Sequence, residues 1–202
     1  MRYPLKQARG FTLIEMLVSV AIFAIVMVVA LGALLSLAEA ARKAQALSVA
    51  VNNLSAALDS MSRNIRTGGT YHCGVTGALT VPLAPADCAA TSNSYIAFID
   101  ADKNTVAYCL DGTTIKRQIV APSVAPPAGF TNCASSGFIP LTTPDVSITG
   151  LGFYVTGSAR GVADSRQPKV TILLAGTSVI QANGKTAAFN IQTSVTQRIY
   201  DQ

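Results

Sequence analysis

The dominant feature of the hydropathy pattern is Met16 to Ala38, 23 residues without a charged side chain, bracketed by Glu15 and Glu39. A helix rises about 1.5 Å per residue, so such a run spans a bilayer core of roughly 30 Å. A helical period continues beyond it. Ala40, Ala44, Leu47, Val51, Leu54, Leu58, Met61 and Ile65 recur at alternating spacings of four and three, and Arg42, Lys43, Asn52, Asp59, Arg63 and Arg66 lie off that stripe. The pattern predicts one long helix, membrane-spanning in its first half (11–38) and amphipathic in its second (39–67). A coiled-coil seam would look similar, but a β-rich sequence follows and needs a helix to bury its sheet. Gly68–Gly69 ends the helix, and Arg63 and Arg66 suit its C-terminal dipole. Gly32 is a weak point within the apolar half.

After Gly69 the pattern turns β-like. Tyr95–Ile99, Thr105–Leu110 and Thr114–Val120 read as short strands, separated by the turn sequences Asp100–Asn104 and Asp111–Gly112. Residues 121–137, with Pro122, Pro126, Pro127 and Gly129, read as a loop. Val146–Val155 reads as a strand bulged at Gly150–Gly152, and Lys169–Ala175 as another. The last strand is the clearest: Phe189, Ile191, Thr193, Val195, Gln197 and Ile199 alternate with polar residues. One helix followed by six or seven strands predicts an α+β fold, with the helix packed on an antiparallel β-sheet ectodomain at 68–202.

Composition sharpens this picture. Apolar residues make up 50% of the 202 and charged residues 12%, too apolar for a plain soluble domain. The net charge of +5 suggests a nucleic-acid partner until it is located. Arg2, Lys6 and Arg9 supply three of those charges, and the first ten residues hold no acid. The other basic residues are scattered over a solvated surface, so no nucleic acid is expected. Positive charge ahead of an apolar span holds the N-terminus in the cytoplasm and sends the rest out. Cys73, Cys88, Cys109 and Cys133 all follow the span, where disulfides persist. Two disulfides are expected, and three pairings are open.

Catalytic and metal chemistry find little support. His72 beside Cys73 suggests a thiol with a base, but adjacent residues on an extended chain point apart. With one histidine and no Cys-x-x-Cys, zinc is not expected. Asp100, Asp102, Asn104 and Asp111 are spaced like a calcium loop, yet Thr105 replaces its glycine, so a hairpin is the better reading. No Gly-rich phosphate loop and no G-x-S-x-G is present. No enzyme, cofactor or metal site is expected.

The opening residues MRYPLKQARG precede FTLIEMLVSVAIFAIV. An ordinary secretory signal has a shorter apolar core and no acid at its start. Ala38-Glu39-Ala40 imitates its cleavage site, and a lipoprotein anchor would need a cysteine well before Cys73. A plain anchor leaves Arg9-Gly10-Phe11-Thr12-Leu13-Ile14-Glu15 unexplained. These residues resemble the class III signal of type IV prepilins and type II secretion pseudopilins. The resemblance implies a cleaved basic leader at 1–10, cut by prepilin peptidase between Gly10 and Phe11, and N-methylation of Phe11. It also implies that Glu15 pairs with the new Phe11 amine of a neighbouring subunit during assembly. A carboxylate at the edge of a bilayer core is in any case expensive without a partner. The bland reading is an interfacial glutamate reaching the headgroups.

Further resemblances run through Ser48–Arg66, a helix running to Ser62-Arg63-Asn64-Ile65-Arg66 before a glycine turn, Asp145 to Val155, and Phe189 to Arg198. They are similar to the larger minor pilins and the J-type minor pseudopilin. The implied function is a structural subunit that helps initiate or build a type IV pilus or type II secretion pseudopilus. An adhesive or DNA-uptake subunit is the alternative. Implied partners are prepilin peptidase, other pilin or pseudopilin subunits, the inner-membrane assembly platform and membrane lipid. The implied location is the inner (cytoplasmic) membrane, single-pass, with the ectodomain extracytoplasmic.

Overall fold

The computed structural model describes residues 10–75, 83–122, 126, 130–159, 166–180 and 185–198. Leader residues 1–9, Pro127 and Gly129 of the expected loop, and Ile199 of the expected last strand lie outside the described residues. The chain forms two compact units, Met1–Ala44 and Gln45–Gln202. One helix, α1 (Leu13–Thr67), contributes to both.

The described part of the first unit is helix from Leu13, with every side chain exposed. Its apolar window has a mean hydropathy of 2.9, and by length and composition the helix can cross a membrane. Nothing within the unit covers residues 16–38, as expected of side chains meant for lipid rather than for a protein core.

The second unit combines the rest of α1 with eight described strands. They are β1 (Gly69–Cys73), β2 (Tyr95–Ile99), β3 (Thr105–Asp111), β4 (Thr114–Val120), β5 (Ile139–Pro140), β6 (Val146–Thr156), β7 (Lys169–Ile180) and β8 (Lys185–Thr196). All pairings between these strands are antiparallel, and the fold is α+β with a pilin-like order. The expected single sheet is instead two, in the orders β1-β2-β3-β4-β5 and β6-β7-β8. β1 and β5 escape the alternation rule for physical reasons. β1 is buried on both faces apart from Gly69, and β5 is two residues ending in proline. The bulge on β6 falls between Ile148 and Gly150, at Thr149, just ahead of the expected glycines.

Six helix residues are buried: Ala50, Leu54, Ala57, Leu58, Met61 and Ile65. All but Ala57 enter one core with Phe98 and Tyr108 of the larger sheet and Ile148, Phe153 and Ile172 of the smaller. The expected stripe therefore holds from Leu54 onward and fails above it. Ala40, Ala44, Leu47 and Val51 are exposed, Val51 at 42%, while Ala50 is covered. The cover begins near Ala46, whose carbonyl accepts a hydrogen bond from Ser178 Oγ of β7 at 3.3 Å. A second cluster on the other face of the larger sheet joins Tyr95, Ala97, Ala107 and Cys109 to Phe130 and Phe138. That sheet is thus buried on both faces, which is why β2 shows no polar alternation.

The helix ends at Thr67 because of what it meets there. A Cβ on Gly68 would lie 2.7 Å from Phe98 Cδ2 and 2.8 Å from the Ile99 carbonyl oxygen, so only glycine fits. The exposed carbonyls of the last turn find partners. Tyr71 Oη lies 2.6 Å from Ile65 O and 3.0 Å from Gly68 O, and the Arg198 N–H donates to Arg66 O at 2.8 Å.

Candidate functional site

The residues singled out by the sequence fall in two places: the start of α1 and the cysteine frame of the second unit. Gly10 and Phe11 precede the helix, and both are exposed. A Cβ built on Gly10 meets nothing within 4 Å, so packing within the chain does not demand glycine there. Any demand for it comes from a molecule that must approach this backbone.

Thr12 is the residue that sequence reasoning missed. Its Oγ1 accepts the Glu15 N–H at 3.3 Å, and its carbonyl accepts the Met16 N–H at 3.2 Å. Thr12 is the N-cap and Glu15 sits at N3, the spacing of a capping box. The signal was legible, since Thr-x-x-Glu ahead of an apolar run is that motif. Glu15 also lies in the first turn, where the helix dipole favours negative charge. Its side chain is exposed and takes part in no salt bridge among the described residues. The Ser19 hydroxyl reaches Glu15 O at 2.7 Å and Met16 O at 3.0 Å, which occupies the backbone of this turn and leaves the carboxylate outside it.

The four cysteines form Cys73–Cys88 and Cys109–Cys133. The first ties β1 to the segment ahead of β2, and the second ties β3 to the segment ahead of β5. With Cys73 bonded to Cys88, His72 has no thiol to activate. Its Nδ1 instead lies 2.6 Å from Ala84 O. The suspected calcium ligands do not converge. Asp100 Oδ1 accepts the N–H groups of Asp102 and Asn104 at 2.9 and 2.8 Å, which makes the hairpin between β2 and β3. Asp111, at the other end of β3, pairs with Lys116 at 2.6 Å. Two tyrosines are buried in structural roles. Burial pushes the Tyr95 phenol above its ordinary value, and its Oη donates to Phe130 O at 2.9 Å. Tyr108 is raised by burial as well, and it accepts a bond from Asn64 of the helix at 2.9 Å.

Residues 5–31 match the model of the prokaryotic N-terminal methylation motif. Over this N-terminal segment the chain is similar to the type IV pilin and pseudopilin family. The match takes in Gly10, Phe11, Thr12 and Glu15 together with the first turns of the apolar helix. Pilins and pseudopilins are structural subunits, processed by prepilin peptidase, anchored in the inner membrane and assembled with other pilins. No curated protein and no solved structure matches this pilin-like chain.

Proposed function

We propose that this pilin-like chain is a minor subunit that helps initiate or build a type IV pilus or a type II secretion pseudopilus. Prepilin peptidase removes residues 1–10, Phe11 becomes the methylated N-terminus, and residues 11–38 cross the membrane once. The N-terminus faces the cytoplasm, residues 39–67 form the amphipathic half of the helix, and residues 68–202 fold outside. Minor rank rests on the likeness of Ser48–Arg66, Asp145–Val155 and Phe189–Arg198 to minor subunits.

The observation that carries the assembly role is Glu15. It is an exposed carboxylate at the head of 23 residues without charge, and no cation partner meets it among the described residues. In lipid such a charge is costly until it is paired. The amine of Phe11, freed by cleavage, supplies a positive charge. On a neighbouring, staggered subunit it completes a pair that exists only in the filament. The capping box supplies a competing, purely local reason for Glu15, and one substitution separates the two. Glutamine at N3 is the other side chain a capping box accepts, and it removes the charge.

Glu15→Gln and Glu15→Ala are therefore both expected to insert, be cut after Gly10, fold and yet fail to enter filaments. Losing one member of a buried pair costs about 3–5 kcal/mol, a hundredfold or more in docking. Glu15→Asp is expected to be intermediate. The fraction of subunit in sheared filaments, by immunoblot, reads this out. Glu15→Gln assembling like the wild type while Glu15→Ala does not would assign Glu15 to the cap alone.

A further inference from the structure

The core face of the larger sheet is covered unevenly. Residues directly opposite in an antiparallel pair share a face. Val106, Tyr108 and Leu110 of β3 therefore share theirs with Ile119, Arg117 and Ile115 of β4, and Arg117 shares it with Ile139 of β5. Val106, Tyr108 and Ile115 are buried in the core that includes α1. Ile119 and Ile139 are 48% and 53% exposed. Among the described residues beyond α1, the only other exposed large apolar side chain is Val75. Both isoleucines flank one residue, Arg117: Ile119 lies two positions along β4, and Ile139 stands directly opposite.

Arg117 is the odd member of this face. It is half-buried beside the Tyr108 hydroxyl, which already accepts a bond from Asn64 of α1 at 2.9 Å. Its Nε is buried with no acceptor. The ion pairs among the described residues are Asp59–Arg63 and Asp111–Lys116, and neither includes it. A guanidinium drawn out of water without a carboxylate is costly, and isoleucines gain by leaving water. One occupant answers both. An arginine set among apolar side chains is the composition of an interface centre.

The charges select the occupant. Lys116 is engaged by Asp111, so Arg117 offers a single cation, which suits one carboxylate and not a polyphosphate backbone. A second copy of this chain has few carboxylates to offer. Asp59 and Asp111 are in ion pairs, Asp87 accepts the Gly157 and Ser158 N–H groups, and Asp100 accepts those of Asp102 and Asn104. Glu39 and Asp145 are engaged as well. Resting on the assembly role proposed above, we infer that Arg117, Ile119 and Ile139 form a docking surface for a different pilin-type subunit of the same filament. That subunit sets an aspartate or glutamate against the Arg117 guanidinium and apolar side chains against the two isoleucines. The planar guanidinium donates to the carboxylate, and the isoleucines keep water from the pair.

The test uses the full-length chain in cells that build the filament. Ile139→Asp places a carboxylate opposite Arg117 within the chain, where it occupies the guanidinium and repels an incoming acid. This variant is expected to be cut after Gly10 and to melt no lower than the wild type, yet to fall about tenfold or more in sheared filaments. Arg117→Gln is expected to fall as far, and Arg117→Lys to be intermediate. Carbodiimide joins an amine to a carboxylate. In filaments carrying the Arg117→Lys chain it is expected to link position 117 to an aspartate or glutamate of another pilin-type subunit, mapped by mass spectrometry. Ile139→Asp assembling like the wild type overturns the contact. So does a link from position 117 into the same chain or a second copy, and so does no link in filaments that contain the variant. In each of these cases a wild type present in filaments leaves the assembly role standing. A wild type absent from filaments overturns that role and this contact together.

Discussion

At the scale of single residues, the first helical turn shows two demands placed on one glutamate. Thr12 and Glu15 satisfy the helix start by hydrogen bond and dipole, and this much is local. The other end of α1 is set by contacts the sequence could not reveal. Gly68 reads as an ordinary stop signal, yet its lack of a Cβ is required by Phe98 and Ile99, which are some thirty positions away in the chain. Gly68→Ala is expected to cost about 1–3 kcal/mol through overpacking. Tyr71→Phe is expected to cost about 1–3 kcal/mol, because the Ile65 carbonyl loses a buried donor. Thermal unfolding of the full chain in detergent reads both, at roughly 2–4 °C for each kcal/mol. No shift in either variant would mean that the helix end is held elsewhere.

At the scale of elements, the helix period was legible but its working face only in part. The alternating spacing runs on through Ala40 to Val51, whereas cover from the sheets starts near Ala46 and favours Ala50 over Val51. A periodic sequence states which residues share a face and not how far a partner extends along it. Leu54→Ala is therefore expected to cost about 2–5 kcal/mol, and Val51→Ala within about 0.5 kcal/mol of nothing, in the same melting assay. Equal effects would restore the predicted stripe. β2, β3 and β4 were read nearly to the residue, because turn chemistry at Asp100–Asn104 and Asp111–Gly112 punctuates them. The division into two sheets was hidden, since alternation defines a strand's faces and leaves its neighbours unstated. The cysteine pairing was likewise open until the fold brought β1 and β3 to their partners. The bridges close chain separations of 15 and 24 residues. Cys109→Ser/Cys133→Ser is expected to lower stability by about 2–4 kcal/mol. Protein from its native envelope is expected to carry no alkylatable thiol.

At the scale of the whole molecule, the chain divides its chemistry between units. The first holds an uncovered apolar helix with one acid at its head, and the second a disulfide-framed α+β core. The first is costly for a free soluble protein, since its apolar side chains have no cover. A charge-free run of 23 residues is sensible in lipid, and Glu15 is sensible where a second positive terminus can reach it. The pairing of Glu15 follows if Gly10–Phe11 is a processing junction, because the cut frees the Phe11 amine, and it loses its partner if it is not. The most direct measurement is the intact mass of the mature chain from cells containing prepilin peptidase. The account predicts loss of residues 1–10 and one methyl group on Phe11, with Gly10→Val retaining the leader. A mature chain beginning at Glu39 or Ala41 would contradict it, and would make the apolar run an ordinary signal sequence.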